Sequence, residues 1–240
     1  MRRWLAVLII AAITIRAAHH FRTPLVPGVD AAYYLIQTRA LLDRGTLAFA
    51  DLPFMFWLQA GFAWLIQHLT GISQSAAIIT SVKLLDSLLP PLAAWPMGLL
   101  GWRWYQKNQP SLLPALVPAA AVCISAPMLR MTGDFQKNAL ALVWLALLML
   151  SAHTFLRRPG WRTALLPLLA LVLCGVTHVG VLGAAIVFAA LLLGIAALTL
   201  NRTALMLKCC LMESSSGSQR FESRSNGCRS DYFCRETRRG

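Results

Sequence analysis

Four uncharged, strongly apolar stretches, residues 4–15, 139–150, 164–177 and 181–200, constrain the fold of this chain more than any other feature. A soluble core spaces its apolar residues at helix or strand periods, with polar residues on the outward face. Here they arrive as runs, in a chain of 240 residues that is 58% hydrophobic and only 13% charged. Runs of this kind belong in hydrocarbon, where a helix satisfies its own backbone groups. The fold class that follows is all-α, a polytopic transmembrane helix bundle.

The connectors set the topology. A formal charge of +13 ordinarily points to nucleic acid or acidic partners. Nine of the 22 Lys and Arg instead collect at the ends of the apolar runs, at Arg2/Arg3, Arg103/Lys107, Arg157/Arg158/Arg162 and Arg202/Lys208. Cytoplasmic loops carry that bias, so the expected partner is membrane lipid and no nucleic acid is expected. Residues 54–69 decide the map, being apolar but short of the roughly 20 residues that a span needs. If this segment crosses, the later basic clusters fall outside. If it lies in the outer interface, all of them fall inside with Arg2 and Arg3. Trp57 and Trp64, seven apart on one helical face, suit an interfacial segment. The prediction is about six spans with interfacial helices in the first outer loop. The spans fall near 4–21, 76–101, 111–129, 139–156, 163–177 and 181–200. The N-terminus is cytoplasmic, and the reading is an integral protein of a bacterial inner membrane. Gly175, Gly180 and Gly183 are expected to let the last two spans pack closely.

Residues 1–207 form this membrane region. Residues 208–240 are rich in Ser, Arg and Gly, poor in aliphatic residues and without period, so they are expected to be disordered. That tail reads as non-native sequence following a truncation, and its cysteines match no zinc-ligand spacing.

Acidic residues are scarce. Residues 1–200 contain no Glu and only Asp30, Asp43, Asp51, Asp86 and Asp134. An acid beside hydrocarbon is costly, which makes it a functional candidate. The topology places Asp30, Asp51 and Asp134 on the outer side. Asp30 opens a helix over 31–44 that Gly45 stops, with Tyr34, Leu35, Thr38, Leu41 and Leu42 on one side and Gln37, Asp43 and Arg44 on the other. Asp51-Leu52-Pro53 opens the second interfacial helix. Read as plain structure, Asp30 and Asp51 are helix caps. Asp134 pairs with nearby Lys137, and Lys83 and Asp86 neutralise each other three residues apart. Arg16, His19 and His20 are boundary residues reaching for the interface. His178, in the outer link between the last two spans, faces the same side as the acids.

Taken in order, an outer Asp heading a surface helix, the segment 53–60 reading PFMFWLQA and the acidic outer turn 130–134 resemble one family. They are similar to the GT-C superfamily of membrane glycosyltransferases, such as protein mannosyltransferases and aminoarabinose transferases. The resemblance covers roughly residues 1–200 and implies a polyprenyl-phosphate sugar donor entering from the membrane. It makes Asp30 the catalytic base or a metal ligand and has Asp134 support the acceptor or a metal. Arg130 and Lys137 face the donor phosphate, and Asp51, His178 and Tyr33 complete the substrate-binding set, Tyr33 by stacking on the sugar. A divalent metal is the one cofactor it suggests, held by Asp30 and Asp134. Ala31 replaces the second acid of the family's D-E pair, and Leu52 stands where a basic residue often precedes the proline. Family members are longer, so the chain corresponds to their N-terminal part. The alternative class is a non-enzymatic membrane protein, a transporter part or assembly subunit, with Lys83 and Asp86 lining a central passage.

Overall fold

The computed structural model describes residues 1–105, 111–194 and 198; the 208–240 tail lies outside the described residues. All regular secondary structure among the described residues is helical, with no strand. Helix α1 (Arg2–His20) buries Leu5, Ile9, Ala12, Arg16 and His20, a single stripe at i, i+4, i+7 spacing. It packs against α4 (Gln74–Leu88) and α5 (Ala94–Tyr105), which a 3-10 turn at Pro90–Ala93 joins into one run. The turn falls where two prolines withhold backbone donors. Arg16 meets Asp86 while Leu5 meets Gly98, so α1 and the α4–α5 run are antiparallel.

Helix α6 (Leu113–Ile124) returns along α5. A Cβ at Gly101 would collide with the Pro114 carbonyl, and one at Gly98 would sit 2.5 Å from Leu5. This is the closest helix approach that glycine permits here. By contrast, Gly183 has nothing within 4 Å, Gly175 makes only ordinary contact at 3.5 Å with Leu182, and the close neighbour of Gly180, at 3.0 Å, is the His178 ring two positions before it. The close packing expected of the last two apolar helices therefore sits between α5 and α6 instead. Ser125, with extended backbone, separates α6 from the short α7 (Ala126–Arg130). A tight turn with Gly133 at φ +84° and Phe135 at φ 51° leads into α8 (Gln136–Arg157). Next come α9 (Trp161–Thr177) and α10 (Val179–Gly194), packed on α8 through Leu148, Ala170, Cys174 and Ala185.

Four helical runs are long and apolar enough to cross a membrane: Arg2–His20, Gln74–Tyr105, Leu113–Arg130 and Gln136–Arg157. These match the first four predicted spans. Helices α9 and α10 are apolar but shorter within the described residues. The α3 helix (Phe54–Thr70) is not among the four, and Trp57 and Trp64 are both exposed on it.

The 32-residue α4–α5 run explains how the ends of the molecule differ. At 1.5 Å per residue it is about 48 Å long, well over the roughly 30 Å of hydrocarbon. Asp86 lies level with His20 at the end of α1 and with the Gly133 turn. The turns of α4 before Asp86 thus run on past the other crossing helices. There they carry α2 (Ala31–Arg44) and α3 on a separate apolar cluster of Val26, Tyr34, Phe56, Ala63, Ile78 and Val82. At the opposite end Arg103 Nη1 donates to Thr154 Oγ1 (2.8 Å), and the Arg157–Trp161 connector lies on that side. The bundle has a loop end and a basic end.

Candidate functional site

The residues singled out in the sequence converge at the loop end. Asp134 Oδ1 accepts a hydrogen bond from the Asp30 backbone N–H (3.0 Å), bringing two acids 104 positions apart into one turn of structure. Glycines permit this approach. A Cβ at Gly28 would lie 2.5 Å from Asp134 Oδ1, and one at Gly133 would overlap the Pro27 carbonyl. Asp30 precedes α2, but its side chain makes no capping bond there. Among the described residues its half-buried carboxylate accepts no hydrogen bond. The cap expected at Asp30 is absent because its backbone, at φ −85° and ψ 1°, lacks the extended conformation that turns a capping side chain onto the first helical N–H groups.

Asp51 is not a cap either; the N-cap position of α3 is Pro53. One oxygen of Asp51 accepts from its neighbour's N–H at Leu52 (2.7 Å), and the other accepts from both Lys137 Nζ and Tyr33 Oη. Burial alone would raise the Asp51 pKa, but the bonds from Lys137 and Tyr33 outweigh it and hold the carboxyl below its ordinary value. Tyr33 is pushed up, first by burial and then by the adjacent carboxylate. Lys137 Nζ also sits 5.5 Å from the Tyr33 ring and 5.7 Å from the Phe56 ring, a cation placed over aromatic faces. Lys137 therefore pairs with Asp51 across the fold and not with Asp134 in its own turn.

His178 approaches the same group. Its Nδ1 accepts from the Val181 N–H at 3.3 Å, closing the first turn of α10. Burial lowers its pKa, with Lys137 adding to the shift and Asp51 opposing it. Arg130 ends α7 at this end of the bundle, exposed and without an ion pair among the described residues. Gln37, expected on the outward side of α2, is fully buried. It donates to Tyr33 Oη and the Phe49 carbonyl, both at 3.0 Å, and accepts from the Phe49 N–H. A hydrophobic-face count cannot find such a residue, because a buried amide is admitted by its partners.

Below the acids lies a network that the sequence reading did not find. Asp86, 1% exposed, accepts from Arg16 Nη2 (3.1 Å), His20 Nε2 (2.7 Å) and the Gly133 N–H (2.8 Å). Arg16 also donates to the Asp86 and Met128 carbonyls at 2.9 and 3.0 Å. Lys83 does not neutralise Asp86; its ammonium donates to the Thr23 and Pro24 carbonyls. The signal was present in α1, where Arg16 and His20 continue the 5-9-12 stripe and so had to face the bundle. A second buried chain runs from Thr38 to Gln59 to Gln136, at 3.0 and 2.7 Å, and ties α2 and α3 to the start of α8. Together these networks hold the turn bearing Asp134 from both sides.

Among the described residues no three His, Cys, Asp or Glu side chains come together as a donor set for a metal. Asp30 and Asp134 alone supply two carboxylates, one oxygen of which is engaged by the Asp30 N–H, so this pair does not fit a metal centre by itself. The arrangement offers an unpaired carboxylate beside a second acid, with a lysine and an arginine at the same end of the bundle. No family model, curated protein or solved structure matches the chain. The likeness to GT-C enzymes therefore stands on the residues quoted for it.

Proposed function

We propose that the chain is a membrane glycosyltransferase of GT-C type, transferring a sugar from a polyprenyl-phosphate carrier to an acceptor hydroxyl. Asp30 takes the acceptor proton, the resulting oxygen attacks the anomeric carbon, and the bond from that carbon to the phosphate oxygen breaks. Polyprenyl phosphate leaves with the bonding pair. Arg130 and Lys137 stabilise the charge developing on it, as cations do for an anionic leaving group. Asp134 orients the Asp30 turn through the backbone bond between them. In this reading α9 and α10 also cross, giving six spans. The loop end faces outward, and the N-terminus is cytoplasmic in a bacterial inner membrane.

The observation that carries the proposal is the 3.0 Å bond from the Asp30 backbone N–H to the Asp134 carboxylate, with the Asp51, Lys137 and Tyr33 group at the same end of an apolar bundle. A general base needs an acid free to accept a proton and in reach of the acceptor, and among the described residues the Asp30 carboxylate has no partner. A transport passage lined by Lys83 and Asp86 finds less support, since Asp86 is sealed by three donors. The test is release of polyprenyl phosphate from polyprenyl-phosphate mannose and polyprenyl-phosphate aminoarabinose by membranes containing the chain. Asp30→Asn should reduce that release by about 10²–10⁴-fold while the protein still inserts. Release unchanged in the variant removes Asp30 as base, and no release from either donor by the parent chain sinks the proposal.

A further inference from the structure

Lys83 is a second buried cation whose position the acid cluster does not explain. Its side chain lies in the extended part of α4, one turn beyond Asp86, and is 3% exposed. The ammonium has three donors. Two go to the Thr23 and Pro24 carbonyls, at 2.5 and 3.2 Å, and the Phe21 ring centroid lies 5.3 Å away. No carboxylate pairs with it among the described residues, because the one acid within reach on α4 is held by Arg16, His20 and Gly133. Carbonyl dipoles orient a buried ammonium but do not neutralise it, and an uncompensated buried charge is costly.

The ammonium lines a cavity of about 390 Å³ between α4 and the connector that follows α1. Arg22, Thr23 and Thr80 contribute to the same wall. Arg22 is exposed and makes no ion pair among the described residues. Around the end of α1, Arg16, Arg22 and Lys83 stand against the single acid Asp86, an excess of two positive charges. The cavity opens where α1 ends, flanked by Phe21 and Leu25, which are 50% and 64% exposed. On a helix that crosses hydrocarbon, this is headgroup depth, where a cation beside exposed apolar side chains meets lipid phosphate.

We propose that this cavity binds one phosphate group of an anionic membrane phospholipid, independently of the Asp30 and Asp134 site. The third donor of Lys83 and the guanidinium fork of Arg22 grip the phosphate oxygens, with the Thr80 hydroxyl as a further donor. The acyl chains lie along Phe21 and Leu25. The bound phosphate supplies the counter-charge that Lys83 lacks within the protein, so the lipid also fastens the α1–α2 connector to α4.

The test uses the full chain purified in an uncharged detergent. Retained lipid is read by native mass spectrometry and thermal stability by a melting assay. Phosphatidylglycerol should bind about 10-fold more tightly than phosphatidylcholine and raise Tm. Lys83→Met, which keeps the aliphatic stem, should remove most of that preference. Should Lys83→Met fail to fold, Arg22→Gln at the exposed cation should still weaken phosphatidylglycerol binding about 3-fold. Equal binding of the two lipids, or a preference that survives both substitutions, overturns the site. Millimolar inorganic phosphate stabilising as well as phosphatidylglycerol overturns the lipid assignment and leaves a free anion as the ligand.

Discussion

Removing the Asp86 carboxylate tests the central packing claim most sharply. Asp86→Leu deletes the acceptor of three donors, Arg16 Nη2, His20 Nε2 and the Gly133 N–H, all of them in the interior. Breaking a buried pair by taking away one partner costs about 3–5 kcal/mol, because the other charge stays buried without compensation. Against a typical total stability of about 5–15 kcal/mol, that is a severe loss. Arg16 keeps the Met128 carbonyl and the residue-86 carbonyl, so the lower part of the range is expected. The informative variant is the double one. Arg16→Met with Asp86→Leu removes both charges and fills the space with apolar atoms, which is often neutral or better. It still leaves His20 Nε2 and the Gly133 N–H without their acceptor, at about 1–3 kcal/mol each, so it should be no less stable than Asp86→Leu alone, and the two substitutions show a coupling of at least about 2 kcal/mol. Reversible unfolding of the full chain in mixed micelles, read by tryptophan fluorescence, measures all four species. A double variant as unstable as the sum of the singles would show that the charges do not compensate each other, and the network would lose its role as the joint between α1, α4 and the Gly133 turn.

Two further outcomes follow from the same end of the molecule. Lys137→Met should cost about 1.5–3 kcal/mol at pH 7, the range for hydrogen bonds to a charged group. Because the Asp51 carboxyl is held below its ordinary 3.8, this contribution is complete above about pH 5 and is lost as pH falls through the lowered value. An equal gap between parent and variant at pH 7 and pH 3, in the same unfolding assay, contradicts the pairing. Sidedness is checked by single cysteines at Ala50 and Arg158, both exposed, in a background freed of the native cysteines. An impermeant thiol reagent applied to intact cells should label the first and spare the second, and the reverse pattern inverts the topology.

What the sequence made legible was local. Helix α2 starts and stops where Asp30 and Gly45 predict, with Gly45 at φ 72° and its N–H bonded to the Leu41 carbonyl. Pro90 and Pro91 fall in the 3-10 turn, and Pro114 and Pro127 in the first turns of α6 and α7, where a missing N–H costs least. The acids were found by scarcity alone, and the structure brings the Asp30 backbone and the Asp134 carboxylate together. Their partners were misassigned, each time in the same way. Sequence reasoning gave Asp30 and Asp51 their nearest backbone, and gave Asp134 and Asp86 the lysine three positions away. In the fold, Asp51 takes a lysine 86 positions off, and Asp86 takes an arginine 70 off. Local pairs are worth a few tenths of a kcal/mol on a solvated helix, so any distant partner that excludes water outcompetes them.

The depth of the Asp86 network follows from the length of α4–α5. Were the whole 32-residue run in hydrocarbon, Asp86 would sit near its middle, where an ionisable group is most costly. In the proposed topology, with α2 and α3 packed on the leading turns, the crossing part begins close to Asp86 and leaves about 20 residues to Tyr105, or roughly 30 Å. The ion network then lies at the boundary, directly beneath the turn that presents Asp134 to Asp30. Lys83 falls one turn further out, among the headgroups. One helix, overlong for its membrane, thus sets the level of every charged group at the loop end.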